Sequence, residues 1–174
     1  SPDFRPVQVM NLALGGLFSS RINMNLREAH GYTYGANSQF VFRRTPGPFQ
    51  VASGIRTDVT APAVSEILKE LRGMVEKPMN DDELKKAKDS LTNSLAGAFD
   101  SSANAVNNFS NVFIYDLGLD YYTLYAQQVN AVTNDQTLAV AKKYLVPDRL
   151  VVIAVGDRAK LEPGLRKLNL GVVE

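Results

Sequence analysis

The sequence predicts an α+β protein, a mainly antiparallel sheet with helices packed on one face. Three observations carry this. Apolar residues recur at helical spacing over most of the 174 positions. Two alternating stretches, residues 33–44 and 49–56, flank the turn-forming run Thr45-Pro46-Gly47-Pro48. A third stretch, Leu150 to Val155 (LVVIAV), is the continuous β-branched run of a strand covered on both faces.

Taken in order, Phe4, Val7, Met10 and Leu14 form one stripe of a first helix, which Gly15-Gly16 stops. A second helix is expected from Ser19 to Ala29, with Ser19 or Ser20 capping its first amides and Phe18, Ile22, Leu26 and Ala29 on one stripe. Gly31 suits the left-handed residue that would close it. In the hairpin that follows, Tyr34, Ala36, Ser38, Phe40 and Phe42 share one face of the first strand. Ala61, Val64, Leu68, Leu71 and Val75 mark a helix over 60–76, broken at Pro78. Asn80 with Glu83 three residues later is a capping pair that opens a helix through Leu84, Ala87, Leu91, Leu95 and Ala98. A helix from Ser101 or Ser102 carries Val106, Phe109, Val112 and Phe113 as its apolar stripe and ends at Gly118. Helices over 121–132 and 134–145 form a hairpin, with Pro147 just beyond. After the strand at 150–155 come a short helix over 158–168 and a final strand over 170–173. The sheet has few strands for so many helices, which predicts a further strand upstream of Ser1.

Composition narrows the chemistry. The length suits a single domain, and a net charge of +1 offers no basic surface for nucleic acid or anionic lipid. Lys85, Lys86 and Lys88 stand among Asp81, Asp82, Glu83 and Asp89, the pattern of a solvated helix face. There are no cysteines, so disulfides, thiolate metal sites and cysteine nucleophiles are excluded. A single histidine, His30, cannot build a catalytic zinc site, which takes two or three. No stretch approaches the apolar length of a membrane span. The opening Ser1-Pro2-Asp3 is no secretory leader, and an amphipathic helix so near the first residue reads as the interior of a longer polypeptide.

The unusual stretch is Leu14 to Gly35, LGGLFSSRINMNLREAHGYTYG. His30 at a helix end is expected from the helix dipole alone. Gly15-Gly16 lacks the preceding strand and the lysine of a phosphate-binding loop, and Asp81-Asp82-Glu83 lacks the spacing of a calcium loop. Arg27 and Tyr34 are different. Arg27 lies roughly 140° from the apolar stripe of its helix at about 100° per residue, so it faces solvent, a cleft or another chain. Seven residues on, past the Gly31 turn, Tyr34 opens a strand. A guanidinium and a phenol on one rim are hydrogen-bond donors suited to a peptide carbonyl or a developing oxyanion. The competing reading places Tyr34 in the core beside Phe40 and Phe42. Tyr32, the other phenol nearby, falls on the opposite side of the chain.

The same stretch resembles the second, non-zinc-binding domain of the pitrilysin-type (inverzincin) metallopeptidases, the group of insulin-degrading enzyme and the mitochondrial processing peptidase. The matching residues are Gly15-Gly16, Ser20-Arg21-Ile22, Asn25-Leu26-Arg27-Glu28, Gly31-Tyr32 and Tyr34-Gly35. PMNDDELKKAKDSLTNSL and DRLVVIAVGD resemble two further phrases of the family, in the same order. The resemblance implies that residues 1–174 are one zinc-free, substrate-binding domain without cofactor of its own. Its implied partner is a homologous domain or subunit whose H-x-x-E-H helix binds zinc, and the two close over an unfolded peptide. It further implies that Arg27 and Tyr34 bind the scissile carbonyl and oxyanion, and that the protein resides in a bacterial envelope. Two alternatives stand beside it: a scaffold of the same fold without peptidase work, and a peptide-binding module that uses its sheet edge.

Overall fold

The computed structural model describes all 174 residues. Helix α1 (Phe4–Asn11) runs on into a wide turn, Leu12–Gly16, and helix α2 (Arg21–Asn23) likewise continues as wider turns through Met24–Ala29. Strands β1 (Thr33–Phe40) and β2 (Phe49–Ile55) pair antiparallel. Six helices follow: α3 (Thr60–Glu76), α4 (Asp81–Gly97), α5 (Ser102–Ile114), α6 (Tyr125–Asn130), α7 (Asn134–Tyr144) and α8 (Arg158–Arg166). The architecture is α+β, as expected, with a two-stranded sheet.

The core joins α1 (Val7, Val9, Met10), the turns after it (Ala13, Leu14), α2 and its extension (Ile22, Leu26) and β1 (Ala36) to the inner faces of α3, α4 and α7. Helix α1 therefore lies at the centre. Gly15 shows how closely its end meets the sheet: a Cβ there would stand 2.5 Å from Ser38 Oγ and 2.9 Å from the Ser38 backbone nitrogen. Gly15 serves close packing of helix on strand, whereas a Cβ at Gly16 would meet Leu12 and Asn11 of its own segment. Ser38, across from it, is fully buried, with its hydroxyl donating to Asn11 Oδ1 at 2.9 Å while Asn11 Nδ2 donates to the Ser38 carbonyl.

The Asn80–Glu83 capping box forms as the sequence predicts: the Glu83 amide donates to Asn80 Oδ1 at 2.8 Å and the Asn80 amide to Glu83 Oε2 at 2.9 Å. Glu83 does a second task. Its carboxylate takes a two-pronged bond from Arg21, 2.6 and 2.8 Å, which ties α2 to the start of α4. Burial pushes the Glu83 carboxyl up, but Arg21 and the Asn80 amide together hold it below its ordinary value.

Several expectations are corrected. Residues 150–155 form no strand: the run is extended, with Val151 at 85% and Val155 at 95% exposure, because β1 and β2 pair only with each other and no third strand lies beside it. No strand forms over 170–173 either. The stripe of α5 is not core; only Val112 is buried, while Val106, Phe109 and Phe113 stand in solvent. Residues 121–124 are turns, so the helix expected over 121–132 is shorter. Phe18 and Ala29 leave the stripe of α2, since the helix begins only at Arg21 and its turns widen after Asn23. Ser20 occupies the cap position, but its hydroxyl accepts from the Asn23 side chain rather than from a helix amide.

Two outcomes follow from this packing. Gly15→Ala should lower stability by about 1–3 kcal/mol in chemical denaturation, because the added methyl meets the backbone as well as the side chain of Ser38. For Glu83, the carboxyl whose pKa folding lowers contributes stability above its ordinary value of 4.5 and loses it as pH falls through the lower folded value. Glu83→Gln should flatten that acid limb of the stability profile and leave a lower plateau near neutrality.

Candidate functional site

The site is built around α2 and its extension, which three side chains pin to three neighbours. Arg21 binds Glu83 of α4. Asn25 donates to Glu66 and Glu70 of α3, both at 2.7 Å. Asn23, which is buried, clamps β1: its Nδ2 donates to the Ala36 carbonyl at 2.8 Å and its Oδ1 accepts from the Ala36 amide at 2.8 Å. The same Nδ2 reaches the Leu17 carbonyl and Ser20 Oγ. One amide thus stitches the strand to the loop that precedes the helix.

At that clamp the ladder is irregular. Thr33 pairs with Ile55 and Ala36 with Ser53, so three steps on β1 match two on β2. This is a β-bulge, which interrupts the alternation and re-aims side chains. Thr33 Oγ1 and Ser53 Oγ both donate to the Gly35 carbonyl, at 2.9 Å each, and the Gly35 amide donates back to Thr33 Oγ1. Ala36 and Ser38 remain buried on the core face, while Tyr34, of the same parity, is 99% exposed. The core reading of Tyr34 fails here, and the bulge is the reason. Its hydroxyl bonds no group of the domain.

Arg27 lies on the last turns before the bend to β1. Its guanidinium carbon sits 3.2 Å from the centre of the Phe18 ring, and its Nη2 pairs with the Glu28 carboxylate. The arginine is off the core, as its helical angle predicts, but it rests on a platform that the sequence did not point to. Gly31 makes the bend with φ +61°, its amide donating to the Arg27 carbonyl and the Tyr32 amide to the Leu26 carbonyl. His30 closes the helix, with Nδ1 at 3.0 Å from the Asn25 carbonyl oxygen. Arg27 and Tyr34 therefore flank one turn, and no hydrogen bond joins them. Beside them a shallow groove of about 580 Å³ is floored by small residues, among them Gly16, Gly35, Ala52 and Gly54, with Phe18 at its rim.

No group of three or more His, Asp or Glu side chains is gathered to hold a metal. The residues present do not fit a zinc ion. No helix is long and apolar enough to cross a membrane.

Residues 1–91, just over half of the chain, match the family profile described as the peptidase M16 inactive domain. The chain belongs to this family. The M16 inactive domain is also found among solved structures similar to this one. A peptidase M16 inactive domain from Pseudomonas fluorescens is 27% identical, with a TM-score of 0.78 over 86% of this chain and 36% of its own. The inactive peptidase domain of a candidate zinc protease from Bordetella parapertussis is 18% identical, with a TM-score of 0.71 over 84% of this chain and 79% of its own. The periplasmic protease PqqL of Escherichia coli is 17% identical, with a TM-score of 0.67 over 83% of this chain and 16% of its own. The latter two likenesses are of fold alone. The chain spans about a third of the length of the Pseudomonas fluorescens chain. No curated protein matches the sequence.

Sequence reasoning missed Asn23, Phe18 and the Thr33–Ser53 lock. Asn23 carried one legible signal, a polar residue next to Ile22 on the inner side of a helix three residues after Ser20. Asn23→Ala leaves the buried Ala36 amide and carbonyl without partners. It should cost about 1–3 kcal/mol in stability, read by denaturation, and should raise the hydrogen-exchange rate of the Ala36 amide.

Proposed function

We propose that this M16 inactive domain is the zinc-free half of a two-part zinc endopeptidase. It closes over an unfolded peptide together with a homologous domain that carries the metal and the general base. In this reading Arg27 orients the scissile carbonyl and Tyr34 donates a hydrogen bond to the oxyanion of the tetrahedral state. The observation that carries the reading is the bulge. It turns Tyr34 wholly into solvent on a backbone that Thr33, Ser53 and Asn23 hold rigid. An exposed tyrosine with a free hydroxyl on a locked strand contributes nothing to this domain's own packing. In this reading its hydroxyl is left to donate to a group that arrives from outside.

The groove supports the same reading. Glycine and alanine at its floor allow a substrate backbone to approach β1 and β2 closely. Phe18 holds the Arg27 guanidinium at the rim, and Glu28 balances its charge while no substrate is bound. On substrate entry the Arg27 donors move from Glu28 to the carbonyl oxygen. In this reading the exposed apolar run Leu150–Val155 is covered by a strand from outside these 174 residues.

The experiment is turnover of an unstructured peptide by this domain assembled with its zinc-carrying partner. Tyr34→Phe and Arg27→Ala should each lower kcat by about 10²–10³ with a much smaller change in KM. Wild-type turnover by both variants would remove the assignment. The scaffold alternative predicts no cleavage by the assembled wild-type pair.

A further inference from the structure

The far end of the hairpin holds a second, unrelated feature. It lies about 20 Å from Tyr34, counting 3.3 Å per residue along β1. A cavity of about 780 Å³ opens there between the start of α1, the hairpin tip, the end of α4 and the 115–125 segment. Three arginines line it, Arg5, Arg43 and Arg44, and no aspartate or glutamate does.

Arg5 is the anomaly. It is 7% exposed, yet it forms no ion pair. Its Nε donates to Gln128 and its Nη1 to Gln8, both neutral amides, and its Nη2 has no acceptor. The guanidinium is caged by rings, 4.1 Å from the centre of Tyr125, 4.6 Å from Tyr121 and 5.3 Å from Phe4. Ring faces offset part of the cost of a buried cation, but a buried charge ordinarily has an acid for a partner. Here the acid is absent, and the two arginines at the mouth are exposed and likewise unpaired with any carboxylate of the domain. Positive charge, flat apolar walls and no competing anion define what fits.

We propose that this cavity is a binding site for a carboxylate borne on an apolar body, and specifically for the free C-terminal end of a peptide whose last residues are apolar or aromatic. Arg43 and Arg44 draw the carboxylate in, and Arg5 carries the balancing charge beneath it. The rings of Tyr121 and Tyr125 take the apolar side chain. Asn108 and Asn111, also in the lining, offer amide donors and acceptors to the last peptide bonds. The volume accommodates a ligand larger than one small acid. The choice of a peptide end over a small free acid rests on the proposed peptidase function, whereas the site for a carboxylate does not.

Tyrosine fluorescence reads the site, since the protein has no tryptophan and four of its seven tyrosines line this cavity. The probes are Ala-Ala-Phe-Phe with a free carboxylate, the same peptide as its C-terminal amide, and 3-phenylpropionate. The free-acid peptide should bind saturably, the amide at least tenfold more weakly, and 3-phenylpropionate more weakly than the peptide. Arg5→Gln should abolish the preference for the acid. The exposed pair Arg43→Gln/Arg44→Gln, which leaves the core untouched, should reduce it and its salt dependence. Equal binding of acid and amide, or no saturable binding of either, would overturn the site. Equal binding of peptide and 3-phenylpropionate would overturn the assignment to a peptide end. Arg27→Ala and Tyr34→Phe should leave these affinities unchanged, so failure here is distinguishable from failure of the proposed catalytic role.

Discussion

The side-chain amide of Asn23 is the contact on which the rest of the structure depends. By taking both the amide and the carbonyl of Ala36, it imitates a neighbouring strand at the point where β1 is irregular. A bulge leaves backbone groups without ladder partners, and a buried one is tolerated only when something satisfies them. Asn23 does so from the helix, while Thr33 and Ser53 do so from the sheet. The helix that positions Arg27 and the strand that presents Tyr34 are therefore set by one bonded unit. Gly15, pressed on Ser38 one turn of the pleat away, fixes the distance between the layers.

Four arginines show how environment decides what one side chain does. Arg21 is a structural strut, paired in two prongs with a carboxylate that also caps a helix. Arg27 lies on the face of Phe18, paired with the adjacent Glu28. Arg5 is buried in rings with no acid at all. Arg56 pairs with Asp58 in full solvent, where the attraction is weak. Of the four, only Arg5 lacks an acid and lines a cavity.

The sequence was legible where a pattern is local. The capping pair Asn80–Glu83, the glycine that must adopt φ +61° at the end of α2, and the stripes of α1 and α3 are each set by residues within a turn or two of one another. It was misleading where burial depends on a distant partner. Val106, Phe109 and Phe113 have the spacing of a core helix and stand in solvent, and Leu150–Val155 has the composition of a covered strand without the cover. Periodicity says which residues share a face; it does not say what meets that face. Both runs leave apolar surface of the kind that marks contact with further protein.

By itself, then, the sequence determined the α+β class, the order and most of the bounds of the helices, and the lack of a histidine set for zinc, and it singled out Arg27 and Tyr34 as candidates. Each follows from residue identity and short-range spacing. Only the tertiary structure decided that Tyr34 faces outward, that Arg27 leans on Phe18, and that Arg5 is enclosed without a counterion. Those outcomes depend on a one-residue slip between strands and on segments more than a hundred residues apart meeting around one guanidinium. No local pattern encodes such distances; packing does.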